Sequence, residues 1–260
     1  MPIWFSCSCA IGFPFLMTTL GAAMVFCLRE GLGVQVQRCF LGFAAGVMMA
    51  ASVWSLLLPA IDRSAQTGRP GWLCAGGGFL LGAGFLLALD RLIPHIHAIL
   101  DVREGPPSRL SPAALLVLAV TIHNIPEGMA VGLCIALSAL SGSALTGAMA
   151  LALGIGIQNL PEGAAVSLPL QGEGMGKGRA FLAGTLSGAV EPVFALLAAA
   201  FAGQLTGLMP WLLAFAAGAM LYVVVEELIP QANVAPHSDA GTLGAMAGFV
   251  TMMVLDVMLG

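Results

Sequence analysis

Charge is scarce in this chain: of 260 residues, only 8% are Asp, Glu, Lys or Arg, against about 25% in a soluble globular domain. Hydrophobic residues make up 59% and mean hydropathy is +0.98, too much apolar surface to hide in water behind so few polar side chains. The solvent for this chain is a bilayer. Basic residues are scarcer still, nine against thirteen acidic ones, which offers phosphates no basic surface and excludes a nucleic-acid partner. The composition also excludes disorder and collagen-like repeats. No CxxC pair is present among the six cysteines. Most lie in apolar runs, where cysteine acts as a small hydrophobe, and none is assigned a function; Cys7 and Cys9 are expected on the outer side. The fourteen methionines are read mainly as packing filler.

Long polar connections are also missing, so one domain is expected over 1–260. Spanning helices need about 20 mainly apolar residues, and eight such stretches are predicted: 10–28, 39–61, 71–93, 112–138, 143–169, 180–202, 206–229 and 241–259. The fold expected is an all-α polytopic membrane protein, with loop 91–111 exposed. No Lys or Arg precedes the first stretch, so it is expected to remain attached rather than act as a cleaved signal peptide. All nine basic residues are expected in connections. Arg29, Arg38, Arg91, Arg103, Arg109, Lys177 and Arg179 follow odd-numbered helices, whereas Arg63 and Arg69 follow helix two. The positive-inside rule then puts the odd loops in the cytoplasm and both termini outside.

Against this background, acidic residues inside apolar runs stand out, because a carboxylate costs about 2.5–3.5 kcal/mol at mid-membrane and marks function by default. They are Glu127, Glu162, Glu191, Glu226, Glu227 and Asp256. With no basic residue expected inside the spans, protons or metal cations must neutralise them. Two spans share a hexapeptide: His123-Asn124-Ile125-Pro126-Glu127-Gly128 and, 35 residues later, Gln158-Asn159-Leu160-Pro161-Glu162-Gly163. Helical spacing brings His123, Asn124 and Glu127 to one face, and likewise Gln158, Asn159 and Glu162. Each proline frees a carbonyl four residues earlier, Ile122 or Ile157, and each glycine allows close approach of a neighbour. A short loop makes the two helices antiparallel, so the clusters can face each other, with Glu191-Pro192 as a third wall. Imidazole, carboxylates and amides suit Zn2+, Fe2+, Mn2+ or Cd2+ rather than Cu+.

These residues resemble the Zrt/Irt-like protein (ZIP) family of divalent metal transporters, particularly its bacterial members. The likeness covers nearly the whole chain: HNIPEG, QNLPEG and Glu191-Pro192, then GVMMAASVWSLLLPAID around helix two, VVVEELIP in helix seven and MMVLDVMLG at the end. It implies eight helices with both termini outside and a binuclear metal site between helices 4, 5 and 6. One ion is expected on His123, Glu127, Gln158 and Glu162 with Met48, and a second on Asn124, Glu127, Asn159, Glu162 and Glu191. Ser55, Asp62 and Asp256 are expected to line an outer entrance, and Asp90, His95, His97, Glu226 and Glu227 an inner exit. Asn159 stands where bacterial relatives can carry Asp, which removes a charge from the second site. The resemblance further implies uptake of Zn2+ and related ions as substrate, no organic cofactor, a homodimer and a place in the bacterial inner membrane. It also implies elevator-like motion of helix bundles, for which small-residue runs such as 82–85 and 184–189 are expected to serve as sliding faces. Two rivals are an intramembrane metallohydrolase, disfavoured by the absence of HExxH, and a proton-coupled metal exporter.

Overall fold

The computed structural model describes residues 3–28, 32–96, 103–234 and 238–259. Eight long helices account for most of them: α1 (Ile3–Cys27), α2 (Val34–Gln66), α3 (Gly71–Leu92), α4 (Pro112–Ser141), α5 (Thr146–Gly172), α6 (Lys177–Ala202), α7 (Thr206–Ala232) and α8 (Ala240–Leu259). All of these except α5 are long and apolar enough to cross a membrane. At 27 residues α5 has the length, but Gln158, Asn159, Pro161 and Glu162 dilute its apolar character, and its neighbours α1, α2, α4, α6 and α8 surround it.

Helix bounds depart from expectation mainly at the ends, where polar residues extend helices beyond the apolar runs. Helix α1 begins at Ile3, earlier than the expected residue 10, so Cys7 and Cys9 lie within it as half-buried free thiols. Basic residues were expected only in connections, yet Arg38 lies in α2 and is buried, and Arg63, Arg91, Lys177 and Arg179 also belong to helices. Instead of a plain loop, the segment after α3 carries a two-residue antiparallel ladder, β1 (His95–Ile96) with β2 (Arg103–Glu104).

Helices pack as two groups. In one, α1 lies along α5 and α4 along α6; in the other, α2 lies along α8 and α3 along α7. The long seams are glycine seams. A Cβ at Gly42 or Gly46 would overlap the α8 backbone, one at Gly82 the Phe215 carbonyl of α7, and one at Gly21 the Leu160 carbonyl of α5. Backbones in such contact gain dispersion but cannot slide without losing it. The expectation that small-residue runs form sliding faces is therefore corrected. Gly82 and Gly184 face partners within their own group, as does nearly every crowded glycine, and among the described residues only Gly154, against Met252 and Val47, faces the other group. Large apolar side chains such as Leu80, Leu81, Leu196, Val250 and Val257 point outward from α3, α6 and α8, while α2, α4 and α7 are mostly interior.

Candidate metal centre

The two hexapeptides meet because of how α4 and α5 are joined. Pro112 occupies the first turn of α4, and the Ser111 hydroxyl accepts the Ala114 N–H at 3.2 Å, a standard N-cap. Gly142, at φ +63°, closes the other end in the left-handed conformation, and α5 returns antiparallel. Both helices continue through Pro126 and Pro161. The glycine after each Pro-Glu admits a backbone: a Cβ at Gly128 would overlap the Glu191 carbonyl, and one at Gly163 the Thr18 carbonyl.

Across these contacts the side chains interlock. Gln158 Nε2 donates to Glu127 Oε1 at 2.6 Å, and Asn159 Nδ2 donates to Glu191 Oε2 at 2.7 Å. The other Glu191 oxygen accepts from the Thr18 hydroxyl at 3.2 Å. Asn124 Nδ2 donates 3.1 Å to the carbonyl of Ser187, beside the break in α6 at Ala189 that precedes Pro192. Asn124, Glu127, Gln158, Asn159 and Glu191 are all buried. What is left over is of one kind: Asn124 Oδ1, Glu127 Oε2, Gln158 Oε1 and Asn159 Oδ1 are buried and have no hydrogen-bond partner. Each orphaned acceptor costs about 1–3 kcal/mol. An array of buried acceptors without donors is what a hard or borderline cation would satisfy.

Glu127 also lines a cavity of about 260 Å³ with Met48, His123, Glu162, Glu227 and Gln231. It sits at the end of the molecule where α2 and α4 begin and α5 and α7 finish. His123 Nδ1 lies 2.7 Å from Glu227 Oε2 across the cavity, which leaves Nε2 as the nitrogen available to a ligand. Among the described residues no three His, Cys, Asp or Glu side chains close on one point; three of the four unpartnered oxygens in the cluster belong to amides.

Residues expected on the pathways divide. Ser55 and Asp256 meet, with the hydroxyl donating to Oδ1 at 2.6 Å, and both are buried. Asp62 is exposed in a separate depression of about 350 Å³ beside Ser138 and Ser141, at the opposite end from the cavity. Glu227 faces the cavity but Glu226 is exposed and does not line it. Asp90 is half-buried near the end of α3 and does not line the cavity. His97 lies outside the described residues, and of His95 only the backbone, in β1, is described.

Two π-helical turns shape these positions, Ser52–Leu57 and Val224–Leu228. Each shortly precedes a proline, Pro59 or Pro230, that cannot donate to the ladder, and the bonds slip to Leu58 N–H→Val53 and Ile229 N–H→Val224. Such turns recur at functional sites. Thr18 was not singled out from the sequence: a hydroxyl in an apolar helix ordinarily bonds its own backbone, as Thr18 also does to Pro14.

The model for the family described as "ZIP Zinc transporter" matches residues 101–256. The zinc transporter ZIP11 of Homo sapiens is 36% identical, with 95% of each chain covered. Zinc transporter ZIPB of Bordetella bronchiseptica is 40% identical over 95% of this chain and 79% of its own length, and zinc transporter GufA of Myxococcus xanthus 38% over 94% of each. A family model spanning more than half of the chain and relatives aligned along almost all of it leave one assignment: the chain belongs to the ZIP zinc transporter family.

Proposed function

We propose that this chain is a carrier that moves Zn2+, and related ions such as Cd2+, Fe2+ and Mn2+, into the cytoplasm through an alternating-access binuclear site on α4, α5 and α6. The observation that carries the reading is the set of four orphaned acceptor oxygens around the Glu127–Gln158 and Asn159–Glu191 hydrogen bonds. One ion would take His123, Glu127, Gln158 and Glu162 with Met48, and a second Asn124, Glu127, Asn159, Glu162 and Glu191. Asn159 contributes no charge, so the second subsite is the weaker.

All eight helices cross the bilayer in this reading, including α5, whose 27 residues extend about 40 Å, and both termini lie outside. Trp4 and Trp72, largely exposed near the starts of α1 and α3, suit an aromatic belt at the outer surface. The cavity below Glu127 then opens to the cytoplasm, and the Ser55–Asp256 contact closes the outer side. Ions enter by Asp62 and leave past Glu227 and Asp90 toward the loop holding His95 and His97. Movement of the α1/α4/α5/α6 group against the α2/α3/α7/α8 group is favoured by the glycine seams, which tie helices within each group. The whole of 1–260 acts as one unit in a bacterial inner membrane, as a homodimer, and as a member of a transporter family it is not an enzyme. Reconstituted vesicles test the site: Glu127→Ala and Glu162→Ala should abolish radiolabelled zinc uptake, and wild-type rates in both would overturn the assignment. The same vesicles with imposed orientation and pH gradient decide direction and proton coupling.

A further inference from the structure

Cys134 stands on the ligand-bearing stripe of α4. Seven residues separate it from Glu127, which puts the thiol on the same face two turns away, about 10 Å, toward the end with the Asp62 depression. The facing stripe of α2 repeats the interval: Met48 at the cavity, Ser55 beside the thiol and Asp62 in the depression. Ser55 lies in the π-helical turn ahead of Pro59, and the Cys134 thiol donates to its carbonyl at 3.4 Å. The Ser55 hydroxyl holds Asp256 Oδ1 at 2.6 Å, and Asp256 Oδ2 is buried with no partner. Cys134, Ser55 and Asp256 are 6%, 7% and 8% exposed. Ser138, one turn beyond the thiol, lines the depression and donates to the Cys134 carbonyl at 3.0 Å.

We infer that Cys134, Asp256 and Ser55 form a separate transit site for one soft or borderline divalent cation, cadmium or zinc, between the outer depression and the central cluster. Sulfur and the free carboxylate oxygen are the anionic ligands, with the Ser55 oxygens completing the set. The thiol proton passes to water in the depression as the ion binds. Cys134 comes from the α1/α4/α5/α6 group, whereas Ser55 and Asp256 come from the other, so relative movement of the groups parts the ligands and releases the ion. This role in transit rests on the transport reading above; binding itself does not.

The full-length chain in detergent is titrated with Cd2+ while ultraviolet cadmium–thiolate absorption is followed as the difference between the native chain and Cys134→Ser. A saturating difference band is expected, shifted to about tenfold higher cadmium by Asp256→Asn, since disturbing a metal site's partners typically costs that much affinity, and retained in Glu127→Ala. In vesicles Cys134→Ser should lower the ratio of cadmium to manganese uptake by a similar factor. A band absent at cadmium concentrations that support uptake, or one indifferent to Asp256→Asn, overturns the site. Normal binding in a native chain that takes up no metal overturns the transport reading and leaves the site standing.

Discussion

Asn159→Asp probes the proposed second subsite at its point of lowest charge. Asn159 Nδ2 and Glu191 Oε2 are 2.7 Å apart. Aspartate replaces this donor–acceptor pair with two carboxylates at the same separation, where at an effective dielectric of about 20 two unit charges repel by about 6 kcal/mol. Side chains will relax apart, and a net loss of about 2–3 kcal/mol is expected to survive, comparable to losing a hydrogen bond to a charged group. For a protein of this size that lowers Tm by about 4–12 °C. A divalent cation between the two carboxylates reverses the sign: zinc at 100 times its Kd returns about 2.7 kcal/mol. Thermal unfolding of the detergent-solubilised variant should therefore fall below wild type in EDTA and recover in zinc. Equilibrium dialysis should record tighter occupancy of a second zinc than in wild type. A variant whose Tm equals wild type in EDTA and gains no more from zinc would refute the idea that Asn159 and Glu191 flank a cation subsite.

Two further variants separate packing from pathway. Gly154→Ala should fold and melt within a few degrees of wild type, because the Met252 side chain it meets can rotate away, yet slow zinc uptake several-fold by roughening a glycine contact between groups; Gly82→Ala, which collides with backbone, should cost about 1–3 kcal/mol in melting experiments. Glu227→Gln should reduce uptake about tenfold by weakening the hold on His123, whereas Glu226→Gln on the exposed face should leave it within about twofold, as initial rates in vesicles would record.

The central cluster was legible because its information is local: two Asn-x-Pro-Glu-Gly motifs on consecutive helices fix which side chains share a face, and a four-residue turn fixes that the faces meet. Thr18 was not legible, since its bond to Glu191 joins residues 173 apart and nothing within α1 marks it. The two residues Glu226 and Glu227 look equivalent in sequence; which of them turns inward depends on the rotation of a π-helical turn. Glycine spacing announced close packing, but only the pairing of helices reveals that the contacts lie within groups rather than between them. Helix ends were the least legible, because Arg38 and Arg63 are helical by backbone continuity rather than by apolar pattern.

The polarity of α5 bears on how the molecule is assembled. A segment carrying Gln158, Asn159, Pro161 and Glu162 gains little from lipid, and each such residue opposes partitioning when the segment stands alone. Its amides find their partners only on α4 and α6, and α6 is synthesised after it. Nascent α5 therefore depends on earlier helices for shelter and on a later one for completion of its hydrogen bonds. Insertion becomes cooperative over α4, α5 and α6, and the polar residues of the proposed ion centre also delay the moment at which the chain can leave the insertion machinery.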